Sequence, residues 1–167
     1  MKMAEKDIDF RLISEDIIIN ESFNKLKKMT HHGLNRYDHS MKVAYLSYKV
    51  AKFLKLDYIK VARAGLLHDF FETSNKPGLK NRVKSILVHP NISVENSKKL
   101  FGLSELEEEI IKTHMFPIGK HIPKHKESWV VNVVDKGVSL YEASVVSVDK
   151  LNYASVLLSL FFINLLK

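Results

Sequence analysis

Apolar residues recur at steps of three and four along most of the chain, and this spacing predicts amphipathic α-helices rather than strands. Residues 38–56 contain one such set of apolar positions: Val43, Leu46, Val50, Phe53 and Leu54. We expect this set to form one buried stripe of a helix. His39 precedes Val43 by four residues, so it should lie on the same buried side.

The next predicted helix ends in a polar pair. Asp57 is a residue type that caps helix N-termini, and a run of apolar positions follows it: Ile59, Ala62, Leu66 and Leu67. Gly65 costs helix stability, so we expect it to let a neighbouring helix approach closely. His68 and Asp69 come directly after this run, and we expect them at the floor of a cleft.

The middle of the chain is predicted to be less regular. Residues 74–81 have the composition of a loop, and Pro90 disfavours helix at the position before it. A short helix is therefore expected only over residues 93–101, where Gly102 would end it. Beyond it, Ser104 and Glu107 have the spacing of a capping box.

Two later helices carry polar residues next to apolar runs. The helix that begins at the capping box contains His114 near its end, and Pro117 would stop it. Residues 128–143 are rich in valine, but the helical context favours a helix over a strand, and Asp135 follows their apolar run. These patterns together predict an all-α fold.

The length of 167 residues predicts one domain spanning residues 1–167. We expect a core of about residues 30–145 and an apolar C-terminal helix, residues 146–167, that packs on it. Polar residues interrupt the most apolar stretch, which is shorter than the roughly 20 residues of a transmembrane helix. A buried helix is expected, and no transmembrane segment; membrane association or a homodimer contact is the alternative.

Charge and cysteine content limit the chemistry. The chain has no cysteine, so a metal ion would need imidazole and carboxylate ligands, and a cytoplasmic location is expected. The net charge of +7 fits either a solvated lysine-rich surface or attraction for phosphorylated substrates. No pattern of a sequence-specific nucleic-acid reader is present, so we expect a small anionic phosphorylated partner rather than such a nucleic acid.

Six residues of metal-ligand type lie in or at the ends of separate predicted helices: His39, His68, Asp69, His89, His114 and Asp135. Any one of them has an ordinary explanation as a hydrogen-bonded core residue. Buried imidazoles and carboxylates are costly unless they are paired or bind metal. Their joint occurrence indicates a metal centre between the helices.

The order of His39, the pair His68-Asp69 and Asp135 resembles the HD-domain superfamily of metal-dependent phosphohydrolases. The likeness runs from about Arg36 to about Tyr141, and the segments RYDHSMKVAYLSYKVAKFL and ARAGLLHDFFE carry it. The resemblance implies an all-helical fold, a metal between the helices and a phosphate-ester substrate.

His89 and His114 are similar to the additional ligands of the HD subgroup that holds two metals. That likeness implies that Asp69 bridges two divalent ions, with His39, His68 and Asp135 completing one site. His89 and His114 would complete the other. Iron, manganese or cobalt is favoured over magnesium or zinc.

The resemblance also implies roles for residues around the metals, beginning with Asp69 and Glu72 as the catalytic pair. Glu72 stands where the two-metal subgroup usually has lysine, and instead resembles the HDxxE pattern of HD nucleotidases, in which the glutamate handles protons. Arg36 resembles an arginine that binds the substrate phosphate. Lys136 and His32 are further candidates for substrate binding.

Two other functions stay open. Some HD proteins with six such ligands hold a di-iron centre and are oxidoreductases. A non-catalytic nucleotide-binding sensor is the other alternative, although a decayed site would usually have lost a ligand.

Overall fold

The computed structural model describes the backbone of residues 4, 7–31, 34–71 and 79–165, and the side chains of residues 4, 7–29, 35–71 and 87–148. Within these residues the chain forms seven α-helices: α1 (Ile8–Ile18), α2 (Glu21–Asn24), α3 (Arg36–Phe53), α4 (Tyr58–Leu67), α5 (Leu79–Phe101), α6 (Glu105–Thr113) and α7 (Lys126–Leu165). A 3₁₀ turn covers Lys25–Lys28. Two strands of two residues each, β1 (Thr30–His31) and β2 (Leu34–Asn35), pair antiparallel with Thr30 opposite Asn35. The predicted all-α class is confirmed.

Helices α3 and α4 pack against each other at very short range. A Cβ atom added at Gly65 would lie 2.8 Å from the Cα of Ala44, which is closer than side-chain carbons ever approach backbone. The close approach predicted for this glycine is therefore confirmed. It fixes the start of α3, which carries His39, relative to the end of α4, where His68 and Asp69 follow.

The predicted buried stripe is confirmed for Val43 and for His39 on the same side, but it is wrong at its other four positions, where Leu54 is also exposed. Leu46, Val50 and Phe53 are 47%, 38% and 84% exposed. The buried face of α3 instead carries small and polar residues together with a few larger ones: His39, Ser40, Met41, Val43, Ala44, Ser47, Tyr48 and Ala51. The reason is the short distance to α4, which only small side chains allow over most of the contact.

Helix α5 also differs from the prediction. It runs without interruption from Leu79 to Phe101 and contains Pro90 in its interior, so the expected loop over residues 74–81 ends earlier and no separate short helix exists. Proline removes only one backbone donor from a helix, and the rest of a long helix offsets that loss. The predicted end is confirmed: Gly102 follows with φ of 62°, the left-handed conformation that terminates many helices.

Both predicted N-terminal caps are confirmed. The side chain of Asp57 accepts a hydrogen bond from the backbone N–H of Lys60 at the start of α4. Ser104 and Glu107 form the complete capping box of α6. These caps satisfy backbone donors that a helix start would otherwise leave unpaired.

Helix α7 is continuous over 40 residues. The Val-rich segment predicted as a helix is confirmed, and residues 146–165 extend that same helix rather than forming a new one. The side chains from residue 149 onward lie outside the described residues, so their packing on the core stays a prediction. Within the described part of the chain, no helix has the length and hydropathy needed to cross a bilayer.

Candidate metal centre

The structure brings the six predicted ligand residues together at one buried site. His39 comes from the first turn of α3, and His68 and Asp69 from the end of α4. His89 lies inside α5, His114 directly after α6, and Asp135 inside α7. Each of the six is at most 8% exposed. Five separate stretches of the chain therefore contribute to a single cluster around Asp69.

His39, His68 and Asp135 lie on one side of Asp69. Asp135 Oδ1 is 3.1 Å from His39 Nε2 and 3.6 Å from His68 Nε2. Asp69 Oδ2 is 3.9 Å from His68 Nε2. We call His39, His68 and Asp135 the first half of the cluster. They share Asp69 with the two remaining candidate ligands.

His89 and His114 lie on the other side of Asp69 and form the second half of the cluster. Asp69 Oδ1 is 3.3 Å from His89 Nε2 and 3.8 Å from His114 Nε2. The two Nε2 atoms are 3.0 Å apart. The two oxygens of Asp69 thus point to different halves.

Backbone carbonyls orient two of the histidine rings. His68 Nδ1 donates to the carbonyl of Gly65 at 2.8 Å, and His114 Nδ1 donates to the carbonyl of Ile111 at 2.7 Å. A proton held on Nδ1 leaves the lone pair of Nε2 available and directs it into the cluster. Metal-binding histidines are oriented in the same way in other proteins.

The arrangement fits divalent cations. Three groups of three ligand atoms each lie within 4.8 Å of one another: those of His39, His68 and Asp69; of His68, His114 and Asp135; and of Asp69, His89 and His114. Ligand atoms that are each about 2.1 Å from one ion lie roughly 3–4 Å apart. In the segments that the structure describes, His68 Nε2 is buried and has no hydrogen-bond partner, which is costly unless another group binds it. Residues of the cluster can therefore hold metal ions.

The pKa values of the buried histidines His39 and His114 are shifted in opposite directions from the ordinary value. Burial lowers the pKa of His39, but its hydrogen bonds to Asp135 and Glu142 outweigh burial and raise the pKa to about 9. Burial and the nearby His68 lower the pKa of His114 to about 3. Burial alone would raise the pKa of Asp135, yet the hydrogen bond from His39 and the proximity of His68 hold it below its ordinary value. The first half therefore has the stronger negative potential.

Arg36 is buried beside the segment that follows Asp69. Its Nη1 donates to the carbonyl of Phe71, and its guanidinium lies 4.0 Å from the centroid of the Phe71 ring. Its Nε is buried and has no hydrogen-bond partner among the residues that the structure describes. Burial lowers the pKa of Arg36, and the charge of Asp69 opposes that shift.

Lys136 contacts the cluster from α7. Its Nζ donates to the carbonyl of His114 at 2.8 Å, and burial lowers its pKa. The lysine therefore supports the backbone of a candidate ligand. Glu72 and His32 lie outside the described residues, so their predicted roles are not addressed by the geometry.

Two residues of α7 support the cluster and were missed by the sequence analysis. Glu142 is fully buried and accepts a hydrogen bond from His39 Nδ1 at 2.9 Å. Asn132 donates to three carbonyls of the segment around His114, at 3.3, 2.7 and 2.8 Å. Glu142 follows Asp135 by two helical turns, and this spacing on one helix face was the available signal.

Comparison with known proteins agrees with this geometry. Residues 36–139 match the sequence model of the HD domain, and the matched range contains all six ligand candidates. Ribonuclease Y of Mycoplasma mycoides is 48% identical over 54 residues, which are 32% of this chain and 13% of that protein. Ribonuclease Y of Mycoplasma capricolum subsp. capricolum is also 48% identical over 54 residues, 32% of this chain and 11% of its own length.

The matched segment thus spans only about a tenth of the length of these curated relatives. No solved structure matches the chain at a significant level. The match to the HD-domain model covers well over half of the chain and runs from the start of α3 into α7. On this ground the chain belongs to the HD-domain family.

Proposed function

We propose that this chain is a metal-dependent phosphohydrolase that acts on a nucleotide or another small phosphate ester. The observation that carries the proposal is the convergence of five imidazole and carboxylate side chains on a sixth, Asp69, in a buried site. Membership of the HD-domain family, whose domains bind divalent metals, supports it.

Two ions are proposed, with Asp69 shared between them. His39, His68 and Asp135 would hold one ion, and His89 and His114 the other. The opposite directions of the two Asp69 oxygens support this division. Divalent ions in such a site would supply charge stabilisation for a phosphoryl group and a water that is nucleophilic near neutral pH.

Protein groups around the cluster are proposed to bind the substrate and move protons. Arg36 would bind a phosphate oxygen, and its buried, unpartnered Nε supports this role because an anion would satisfy that donor. Lys136 would add positive charge next to the cluster. Glu72 would handle the proton of the attacking water or the leaving group, and His32 would contact the substrate; these two roles rest on sequence alone.

A phosphodiester bond of RNA is a second candidate substrate. The relatives named ribonuclease Y and the net charge of +7 favour it, because positive charge attracts polyanions without reading their sequence. Small nucleotides and short RNA oligomers should therefore be tested side by side.

The deciding experiment combines metal analysis with a substrate screen. The chain is purified without chelators, its metal content is measured, and phosphate esters and RNA oligomers are tested with Mn, Co and Fe. We expect hydrolysis that needs the metal, and loss of both metal and hydrolysis in Asp69→Ala. Turnover that persists with intact metal content in that variant would contradict the proposal.

The same preparations separate the alternatives. Oxygen consumption together with a mixed-valent iron signal would favour a di-iron oxidoreductase. Tight nucleotide binding without turnover under all metals would favour a sensor. A measured ratio of one metal ion per chain would mean that His89 and His114 have structural roles and do not bind a second ion.

A further inference from the structure

Glu142 has both carboxylate oxygens engaged by groups of α3. Its Oε2 accepts from His39 Nδ1 at 2.9 Å, and its Oε1 accepts from Lys42 Nζ at 2.8 Å. The side chain of Glu142 is 0% exposed, whereas that of Lys42 is 32% exposed. A buried carboxylate this well satisfied is held in a single orientation.

The two carboxylates of α7 bracket the ring of His39. Asp135 and Glu142 are seven residues apart and therefore lie on one face of the helix, about 10 Å apart along its axis. His39 Nε2 faces Asp135 at 3.1 Å, while its Nδ1 faces Glu142 at 2.9 Å. One ring nitrogen is thus inside the cluster and the other is outside it.

His39 differs from its neighbours in the group that orients it. His68 and His114 each donate Nδ1–H to a backbone carbonyl three residues earlier. His39 donates to a carboxylate from a distant part of the chain, and a carboxylate is both a stronger acceptor and a source of negative charge. Such a partner raises the basicity of the opposite ring nitrogen.

Lys42 stabilises the charged form of Glu142 in this buried site. A buried carboxylate without a counter-charge would become protonated or destabilise the fold. Lys42 lies one turn after His39 on α3 and supplies that counter-charge. Glu142 can therefore stay ionised whether or not His39 carries a second proton.

We propose that Glu142 is a positioning residue of the metal centre, which holds the Nδ1 proton of His39 and so presents the Nε2 lone pair to a divalent ion. This inference rests on the metal centre of the proposed function. Glu142 lies three residues beyond the range matched to the HD domain, so the inference concerns a feature of this chain outside that match.

Cobalt binding tests the inference without an activity assay. Co²⁺ is titrated into the metal-free full chain and followed by its visible absorption. Glu142→Gln should weaken the tightest Co²⁺ site about 10–100-fold and shift its absorption bands. Glu105→Gln, which changes an exposed glutamate of α6, is the matched control and should bind Co²⁺ as the unmodified chain does.

A double-mutant cycle with His39→Gln establishes whether Glu142 acts through His39. If it does, Glu142→Gln should cause little further loss of affinity once His39 has been replaced. Unchanged Co²⁺ affinity and absorption in a folded Glu142→Gln protein would overturn the inference, and so would equal losses in both backgrounds. Should Glu142→Gln not fold, Glu142→Asp keeps the charge but withdraws it from His39, and binding equal to that of the unmodified chain would overturn the inference in the same way.

Failure of the inference about Glu142 can be distinguished from failure of the proposed hydrolase function. Absence of Co²⁺ binding by the unmodified chain would overturn both. Normal Co²⁺ binding without hydrolysis of any phosphate ester would contradict only the hydrolase, and the comparison of Glu142 variants would still decide the role of Glu142.

Discussion

The two halves of the cluster around Asp69 are equally buried but differ in charge and support. The first half contains a second carboxylate, Asp135, and has Glu142 behind His39. The second half contributes no carboxylate beyond its share of Asp69, although Asp135 lies within 4.8 Å of His114, and its two Nε2 atoms are 3.0 Å apart. The pKa values reflect this, since that of His39 is raised to about 9 and that of His114 is lowered to about 3.

The difference teaches that burial alone does not set the character of a histidine in this site. Both rings are almost fully enclosed, and burial lowers the pKa of both. The carboxylates of α7 reverse that effect for His39 but not for His114. We therefore expect the first half to bind a divalent ion more tightly than the second, because more negative charge opposes the cost of bringing the ion out of water.

Replacing the shared residue should have the largest effect. Asp69→Asn keeps the volume of the side chain but removes the only carboxylate common to both halves. We expect both ions to be lost and phosphohydrolase activity to fall to background. Metal analysis of the purified variant checks this, with circular dichroism to show that it is folded; an unchanged metal content would mean that the two halves do not depend on Asp69.

Replacing one residue in each half should separate them. Asp135→Asn is expected to remove the tighter ion, whereas His89→Gln is expected to leave it and remove the weaker one. The reason is that Asp135 contacts His39 at 3.1 Å and His68 at 3.6 Å in the first half, whereas His89 contacts Asp69 from the second half. Titration with Co²⁺ under competition from a chelator measures both affinities. Equal losses in the two variants would mean that the cluster acts as one site.

The contact between α3 and α4 supports the first half, and Gly65 is its most crowded point. Gly65→Ala should destabilise the fold by about 1–3 kcal/mol, because the new Cβ would lie 2.8 Å from backbone that cannot move aside easily. Gly137→Ala is the matched control on α7, since nothing lies within 4 Å of a Cβ there. That change should stabilise the helix by about 0.5–1 kcal/mol.

Chemical denaturation of both glycine variants measures these changes. If Gly65→Ala were as stable as the unmodified chain, the close approach of α3 and α4 would not be required. A loss of Co²⁺ affinity in a folded Gly65→Ala protein would connect this contact directly to the first half of the cluster.

The candidate ligand residues could be predicted from sequence because their types and order are characteristic. His39, the pair His68-Asp69 and Asp135 stand out next to apolar runs, and the structure brings them together. Helix caps were predictable for a similar reason: the interaction of Ser104 with Glu107 is local and depends on few other residues.

Features that depend on distant contacts could not be predicted in the same way. Hydropathy selected Leu46 and Phe53 as the buried side of α3, whereas close contact with α4 requires small residues there and leaves those two exposed. Glu142 lies 103 residues from His39, so its spacing from Asp135 on one helix face could be read from the sequence but its contact with His39 could not. Pro90 inside α5 shows that a helix-breaking residue does not override the rest of a long helix.

The smallest expected effect concerns the support of the second half. Ser104 caps α6, the helix that ends at His114, and its hydroxyl and backbone N–H both pair with Glu107. Ser104→Ala should cost about 1 kcal/mol of stability. Because α6 also packs through buried Ile110 and Ile111, the loss should not reach His114, and the weaker Co²⁺ site should keep its affinity.

Ser144→Ala is the control for this substitution. Ser144 is exposed within α7 and its hydroxyl donates to the carbonyl of Tyr141 in the same helix, so its replacement should leave stability nearly unchanged. Denaturation curves of the two serine variants measure the loss of stability, and Co²⁺ titrations measure the affinity of the weaker site. A weaker second site in Ser104→Ala would show that His114 depends on the far end of its own helix, and that the second half is less firmly supported than its contacts with Ile111 and Asn132 imply.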